Sequence, residues 1–477
     1  MKWGARVLSL TVCLLALLAS LAAASPGPPA RVRLTQLPRL APDTKLIGGL
    51  AADTPIHLTV TLKPRQGLVA FVAQVSAPGS PLYRDYLTPT EFRWRFGATA
   101  AQIAAVETSL RAHGLAPGPV SAGGLSIPIT ADASAVEHAF SLSLERRRLA
   151  DGRQAVVPSA APAVDASVAA DVQAVVGLDS VYRPRPLLAR PAALSAPTSP
   201  HVATGGPQPC SAASSAASSS GAYTADQLAS AYRFSGLYGA GDQGQGQTIA
   251  MYELEPNDPG DIAAYQACYG TGTGVQYIPV DGGAGSGAGA GEAVLDIEVA
   301  IGLAPKATIL VYQGPNSSQT SAGSGAYDTF SAIINQDRAQ IISTSWGDCE
   351  SDNGADNSNA ENTLFQQAAA EGQSILAAAG DTGSEDCTDA AGTPIPSLAV
   401  DDPGSQPLVT SVGGTSLSGL GPPPSETVWN AGGNPAALVP GTSSGASGGG
   451  VSQMWKMPGY QTGAAGSLNV VGANSSG

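Results

Sequence analysis

The chain has 477 residues, with 23 Lys and Arg against 37 Asp and Glu and a formal net charge of −14. That length accommodates two or three domains, and the acidic balance argues against a nucleic-acid partner. The charge is uneven: residues 25–205 hold 17 basic and 12 acidic residues, whereas 206–477 hold 4 and 25, so a half of +5 precedes one of −21. Halves of opposite sign attract near neutrality and part when acid protonates the carboxylates, unless the asymmetry serves solubility alone.

At the start, Lys2 and Arg6 precede an apolar run from Val7 to Leu21 and then Ala22-Ala23-Ala24. This is the pattern of a secretory signal peptide, residues 1–24, removed after about Ala24. No other stretch approaches the roughly 18 continuous apolar residues that a spanning helix needs. The expectation is a secreted, extracellular protein with no membrane segment after signal removal. Cys13 leaves with the signal, and Cys210, Cys268, Cys349 and Cys387 remain. An even number suits an oxidising compartment and allows three connectivities. The pairs Cys349–Cys387 and Cys210–Cys268 are favoured, because the first two follow strand-like segments expected to be neighbours.

Residues 25–184 read as one unit. The alternation at 58–62 predicts a strand, 101–113 a helix, 124–129 a strand, 133–140 a short helix and 141–144 another strand. Such a mixture in a unit of this size predicts an α+β sandwich. The Pro-, Ala- and Ser-rich stretch 185–221 then reads as an exposed, cleavable linker.

In the remainder, 222–477, strands are predicted at 248–253, 276–280, 308–312, 341–345, 374–379 and 409–412. Helices are predicted at 225–237, 258–268, 292–303, 326–336 and 360–371. Alternating helices and nearly continuous apolar strands indicate an α/β fold with a parallel sheet covered on both faces. Ligands of such folds bind beyond the carboxyl ends of the strands. Trp346 and Asp381 fall at two such ends.

The helix at 292–303 carries the chemistry. Glu292 and Asp296 are spaced i, i+4, which puts them on one helix face. Their neighbours Ala293, Val294, Leu295, Ile297 and Val299 leave no wide polar face, so the helix is expected to be buried all round. Buried acids are costly unless paired or functional. No histidine follows His201, so a hydrolase working from this site must use a carboxylate as its base.

Several segments in order resemble the sedolisin family of serine-carboxyl peptidases, kumamolisin-like, with a pro-kumamolisin-type activation domain in front. Ser80-Pro81-Leu82-Tyr83, Tyr86-Leu87-Thr88-Pro89 and Glu91-Phe92 to Arg95-Phe96-Gly97 resemble the activation-domain signature. Gly244 to Ala250 resembles the first core strand, Glu292-x-x-x-Asp296 the acid pair, and Gly380-Asp381-Thr382-Gly383 the oxyanion aspartate. Glu426 to Asn430 and Gly448 to Ser452 resemble later landmarks. The resemblance implies a subtilisin-like peptidase domain behind an activation propeptide. It further implies an acid-acting endopeptidase zymogen, acting as a monomer on protein or peptide substrates and held by its own propeptide.

The roles it implies are a general base at Glu292, an acid that orients it at Asp296, and an oxyanion donor at Asp381. Glu253 and Trp346 would extend the proton network. One departure stands out. The family's nucleophile occupies a Gly-Thr-Ser segment that opens a helix downstream of the Gly448 to Ser452 landmark, and none occurs in the 477 residues. Gly414-Thr415-Ser416 and Gly441-Thr442-Ser443 imitate it without a helix to follow. The peptidase domain is therefore expected to be C-terminally incomplete and inactive as given. The calcium implied by the family lacks its ligands here as well. The alternative is a non-enzymatic pseudopeptidase or a propeptide-based inhibitory or binding protein.

Overall fold

The computed structural model describes residues 30–34, 40, 43–150, 152–187, 202–285, 291–318, 321–389, 395–421, 423–431 and 445–461. The predicted signal peptide and Gly441-Thr442-Ser443 lie outside the described residues.

The first unit is built on an antiparallel sheet in the order Ser126–Asp132, Pro55–Leu62, Val172–Val176. A second sheet runs Lys45–Gly49, Leu144–Arg148, Gln154–Pro158. Alternation in Pro55–Leu62 drives Ile56, Leu58, Val60 and Leu62 to 1 % exposure or less, where burial of each large aliphatic side chain contributes about 1.5–3 kcal/mol. The predicted strand at 141–144 is displaced to Leu144–Arg148, with partner strands the pattern did not indicate. Helix Ala100–Ala112 starts at a Thr99/Gln102 capping box. Helix Leu68–Ser76 was not anticipated, although Leu68, Phe71, Val72 and Val75 recur at i, i+3, i+4 and i+7 and all are buried.

The second unit contains a six-stranded parallel sheet in the order Gly274–Pro279, Thr308–Gln313, Thr248–Glu253, Ile341–Thr344, Ser374–Ala378, Val409–Val412. All six predicted strands are present, two with the predicted bounds and four with ends shifted by one or two residues. Adjacent residues serve opposite faces. Ile309 and Val311 join Met251 and the helices Pro259–Tyr269 and Gly291–Leu303, while Leu310 and Tyr312 join Tyr252 and the helices Gly325–Gln336 and Glu350–Glu371. Coverage on both faces explains why central strands such as Thr248–Glu253 and Thr308–Gln313 read as apolar runs rather than alternating ones.

Three expectations are corrected. The helix predicted at 225–237 is two helices, Ala225–Ala231 and Phe234–Ala240, because Arg233 adopts a left-handed φ of 62° between them. The helix predicted from 360 begins at Glu350, with Gly354 non-helical inside it. Its polar first turns have no apolar period to read; Asn353 instead holds Glu361 and Asp402 through Nδ2 at 2.6 and 3.0 Å. The stretch expected as an exposed linker is partly built into the fold. Arg185–Pro186 pairs antiparallel with Trp346–Gly347, Ser211–Ser220 is helical, and Cys210 is bonded to Cys268. Cys349 is bonded to Cys387, so both favoured pairings are present. No helix of the described residues is long and apolar enough to cross a membrane.

The two units share a packed seam. Ala174 and Val176 of the first join the core of the second, and Ala322 and Ala370 of the second join the core of the first. Gln173 Nε2 donates to Asn359 O and Thr363 Oγ1 at 3.0 Å, and Gly123 N to Asn335 Oδ1 at 2.6 Å. Charge enters locally, through Arg153 with Asp352 at 2.5 Å and through His57 beside Asp281 and Asp328.

Candidate active site

Every sequence-predicted site residue lies at the carboxyl-terminal edge of the sheet. Glu253 ends strand Thr248–Glu253, Trp346 follows Ile341–Thr344, and Asp381 follows Ser374–Ala378. Glu292 and Asp296 occupy the first two turns of helix Gly291–Leu303. That helix is not buried all round: Leu295 and Val299 are each 43 % exposed, because only the stripe Ala293, Ile297, Ile301 seats on the sheet. The acids stand beside that stripe, and Glu292 is 3 % exposed.

Glu292 and Asp296 are close enough for each to alter the proton affinity of the other, and Ser345 influences both. The Ser345 hydroxyl donates to Asp296 Oδ1 at 2.9 Å. Burial raises the proton affinity of Glu292 first, and the adjacent Asp296 and the more distant Asp381 raise it further. Burial also raises Asp296, while its bonds to Ser345 and Glu292 oppose the rise. Like charges this close in a shielded site cannot both ionise easily, so the pair holds one proton between them. Glu253, fully buried, is pushed well above the carboxylate range by desolvation and then by Asp296; the indole Nε1 of Trp346 donates to its Oε2 at 2.9 Å and opposes this.

Asp381 sits in a loop braced from two sides. Ala446 N donates to Asp381 O at 2.9 Å, Gly383 N to Ala446 O at 3.0 Å, and Gly448 N to Gly380 O at 2.9 Å. The close approach explains the glycine at 448, since a Cβ there would lie 1.7 Å from Ala379 O. The landmark Gly448 to Ser452 thus serves as a brace; Ser452 and Gln453 also bond the Glu350 carboxylate. Gly414-Thr415-Ser416 leads into strand Thr415–Gly419 rather than a helix.

Ser345 is the site residue that sequence reading missed. Its position between a strand end and Trp346 was the available signal, but a lone serine there has no distinguishing pattern. The strand Arg185–Pro186 runs directly alongside: Leu187 N donates to Ser345 O at 2.9 Å, and Arg185 Nη1 to Thr388 Oγ1 at 2.6 Å. The tail of the first unit therefore lies against the backbone that carries Ser345. As for metals, the sole group of three or more clustered His, Cys, Asp or Glu ligands among the described residues is His57, Asp281 and Asp328, none of them one of these acids. With an imidazole in the set, it is not the all-oxygen shell that calcium takes.

A doubly covered parallel sheet with shielded carboxyl groups at its carboxyl edge is the layout of an α/β enzyme whose proton transfers run through acids. Comparison with known proteins narrows this. The family described as pro-kumamolisin, activation domain, matches residues 42–181, and the subtilase family matches 280–468. Xanthomonalisin of Xanthomonas sp. (strain T-22) is 31 % identical over 486 residues, covering 95 % of this chain and 57 % of that protein. Kumamolisin of Bacillus sp. (strain MN-32) is 33 % identical over 437 residues, covering 89 % and 72 %. Sedolisin of Pseudomonas sp. (strain 101) is 28 % identical over 390 residues, covering 80 % and 64 %. This chain spans between 57 % and 72 % of the length of these relatives. The chain belongs to the sedolisin family of serine-carboxyl peptidases, with an activation domain ahead of a subtilisin-like α/β domain.

Proposed function

We propose that the chain is the precursor of an exported, acid-acting serine-carboxyl endopeptidase, and that Glu292, Asp296 and Asp381 carry its proton chemistry. The observation that supports this most is the shielded Glu292–Asp296 pair, with Ser345 donating to Asp296 and Asp381 close enough to Glu292 for the two charges to interact. With one proton between two carboxyls, a free oxygen of Glu292 accepts the proton of a serine hydroxyl as that oxygen attacks the scissile carbonyl. Asp296 holds Glu292 in place and shares the proton. A protonated Asp381 donates to the oxyanion, which requires acid for a group whose ordinary pKa is about 3.9. Glu253 and Trp346 stand behind Asp296 and complete the proton network. Calcium is carried forward from the family as a proposal.

The seating of Arg185–Pro186 along Trp346–Gly347 supports a zymogen in which the first unit covers the cleft. Protein and peptide substrates would approach the same edge after its removal. The test is turnover of an unfolded protein substrate, after incubation at about pH 4 and at about pH 7, by a precursor that also carries the family's Gly-Thr-Ser nucleophile segment. Cleavage only after acid incubation is expected. Equal cleavage at both values overturns the acid requirement, and none at either from folded protein overturns the peptidase reading.

Ser345 is assigned as a positioning residue rather than the nucleophile. Its hydroxyl lowers the proton affinity of both Glu292 and Asp296. Ser345→Ala is expected to move the acid limb of the pH–rate profile upward by roughly half a unit to one unit, with about tenfold loss of kcat and little change in KM. Restoration of the limb in Ser345→Thr distinguishes this from general damage. Complete loss of turnover in both variants would make Ser345 the nucleophile instead.

A further inference from the structure

The seam between the activation domain and the peptidase domain carries a second constellation, independent of the catalytic reading. His57 projects from strand Pro55–Leu62 of the activation domain. Opposite it stand Asp281, in the turn after strand Gly274–Pro279, and Asp328, on helix Gly325–Gln336. His57 Nε2 is 3.3 Å from Asp281 Oδ2 and 3.4 Å from Asp328 Oδ2, and the three ligand atoms all lie within 4.8 Å of one another. Nε2 is shielded from solvent and faces only these two carboxylates; both approaches exceed the roughly 2.9 Å of a good hydrogen bond.

The spacing matches a coordination edge. Bonds of about 2.0–2.1 Å from zinc to imidazole nitrogen and carboxylate oxygen place ligand atoms roughly 3.3–3.4 Å apart at the tetrahedral angle. The surroundings hold the ligands in that arrangement. His57 Nδ1 bonds Thr130 Oγ1 at 2.8 Å, which leaves Nε2 as the lone-pair nitrogen when Nδ1 donates. Thr59 Oγ1 donates to Asp328 Oδ1 at 2.7 Å, and the Ser324 hydroxyl donates to Asp328 Oδ2. Ser324 N donates to His57 O at 3.0 Å and fixes the strand against the helix. Such outer partners orient metal ligands. One imidazole and two carboxylates suit zinc and its neighbours rather than calcium or magnesium, and three protein ligands leave a fourth position for water.

We propose that His57, Asp281 and Asp328 bind a zinc-class divalent ion that bridges the activation domain to the peptidase domain. Because the ligands come from both sides of the seam, the ion binds only when the domains are docked, and binding strengthens the docked state by mass action. Zinc then delays release of the activation domain, and chelation hastens it.

The test uses metal-stripped full-length precursor titrated with zinc chloride, read by calorimetry and by thermal melting. One saturable site is expected, with Tm raised by roughly 5 °C at saturation, while calcium and magnesium chloride at the same concentration leave Tm unchanged. His57→Gln and Asp281→Asn are each expected to weaken zinc binding by more than about 100-fold, and Thr130→Val, which spares all three ligands, by about 10- to 100-fold. The metal-free melt of each variant separates lost binding from lost folding. Absence of a saturable site in the unmodified precursor overturns the proposal and leaves an imidazolium between two carboxylates. Binding undiminished in His57→Gln also overturns it.

Discussion

In a precursor that also carries the family's nucleophile segment, replacing Asp381 with Ala is expected to lower kcat about 100- to 1000-fold with little change in KM, the loss that follows removal of a single oxyanion donor. Glu292→Gln and Asp296→Asn should be at least as damaging, for different reasons. The amide at 292 cannot accept the serine proton. The amide at 296 cannot share that proton, and it removes the charge that raises the proton affinity of Glu292. Asp381→Asn retains a donor that does not titrate, so whatever activity it keeps should extend towards neutral pH. The measurement is a pH–rate profile for each variant, with circular dichroism to confirm folding. A folded Asp381→Ala enzyme of full activity ends the assignment of that residue.

The second large effect concerns stability, and it runs in the acid direction. Glu371 is raised from 4.5 to about 8, chiefly by burial. Asp386 is raised from 3.8 to about 6, and so is Asp179, again chiefly by burial. Desolvation also pushes Glu253, Glu361 and Asp401 well above the carboxylate range. A carboxyl whose folded pKa is raised binds its proton more tightly when folded. Its stabilising contribution is therefore full below its unfolded pKa and is lost as pH rises through the folded value. For the groups with stated values, that window runs from about pH 4 to about pH 8. Tm should fall by roughly 10 °C across it. Glu371→Gln, which keeps the shape and removes the titration, should flatten part of the decline. A Tm that is level or rising from pH 4 to pH 7 would contradict this account. The stability gradient and the proposed catalysis share one cause: many acids sit where water cannot solvate their charge.

Local sequence determined much of this molecule. The central parallel strands are largely apolar runs, and their places in the chain follow from that pattern. The i, i+4 spacing of Glu292 and Asp296 fixed their common face once the helix formed, and an even set of cysteines foretold two bridges. Helix Leu68–Ser76 is legible too, in its apolar spacing.

Tertiary structure alone decided the rest. The strand order, with Thr248–Glu253 between Thr308–Gln313 and Ile341–Thr344, depends on how crossovers pack and leaves no trace in local periodicity. The same holds for Ser345, whose contact with Asp296 exists because the end of one strand meets the face of a helix that precedes it in the chain. Glu361 and Asp402 look like ordinary acids in sequence; burial against Asn353 and Gln406 is what changes them. His57 meets Asp281 and Asp328 only because the activation domain docks on the peptidase sheet. Periodicity reports which side of an element is apolar, whereas proton affinity and ligand geometry depend on distances between elements far apart in the chain, and only packing sets those distances.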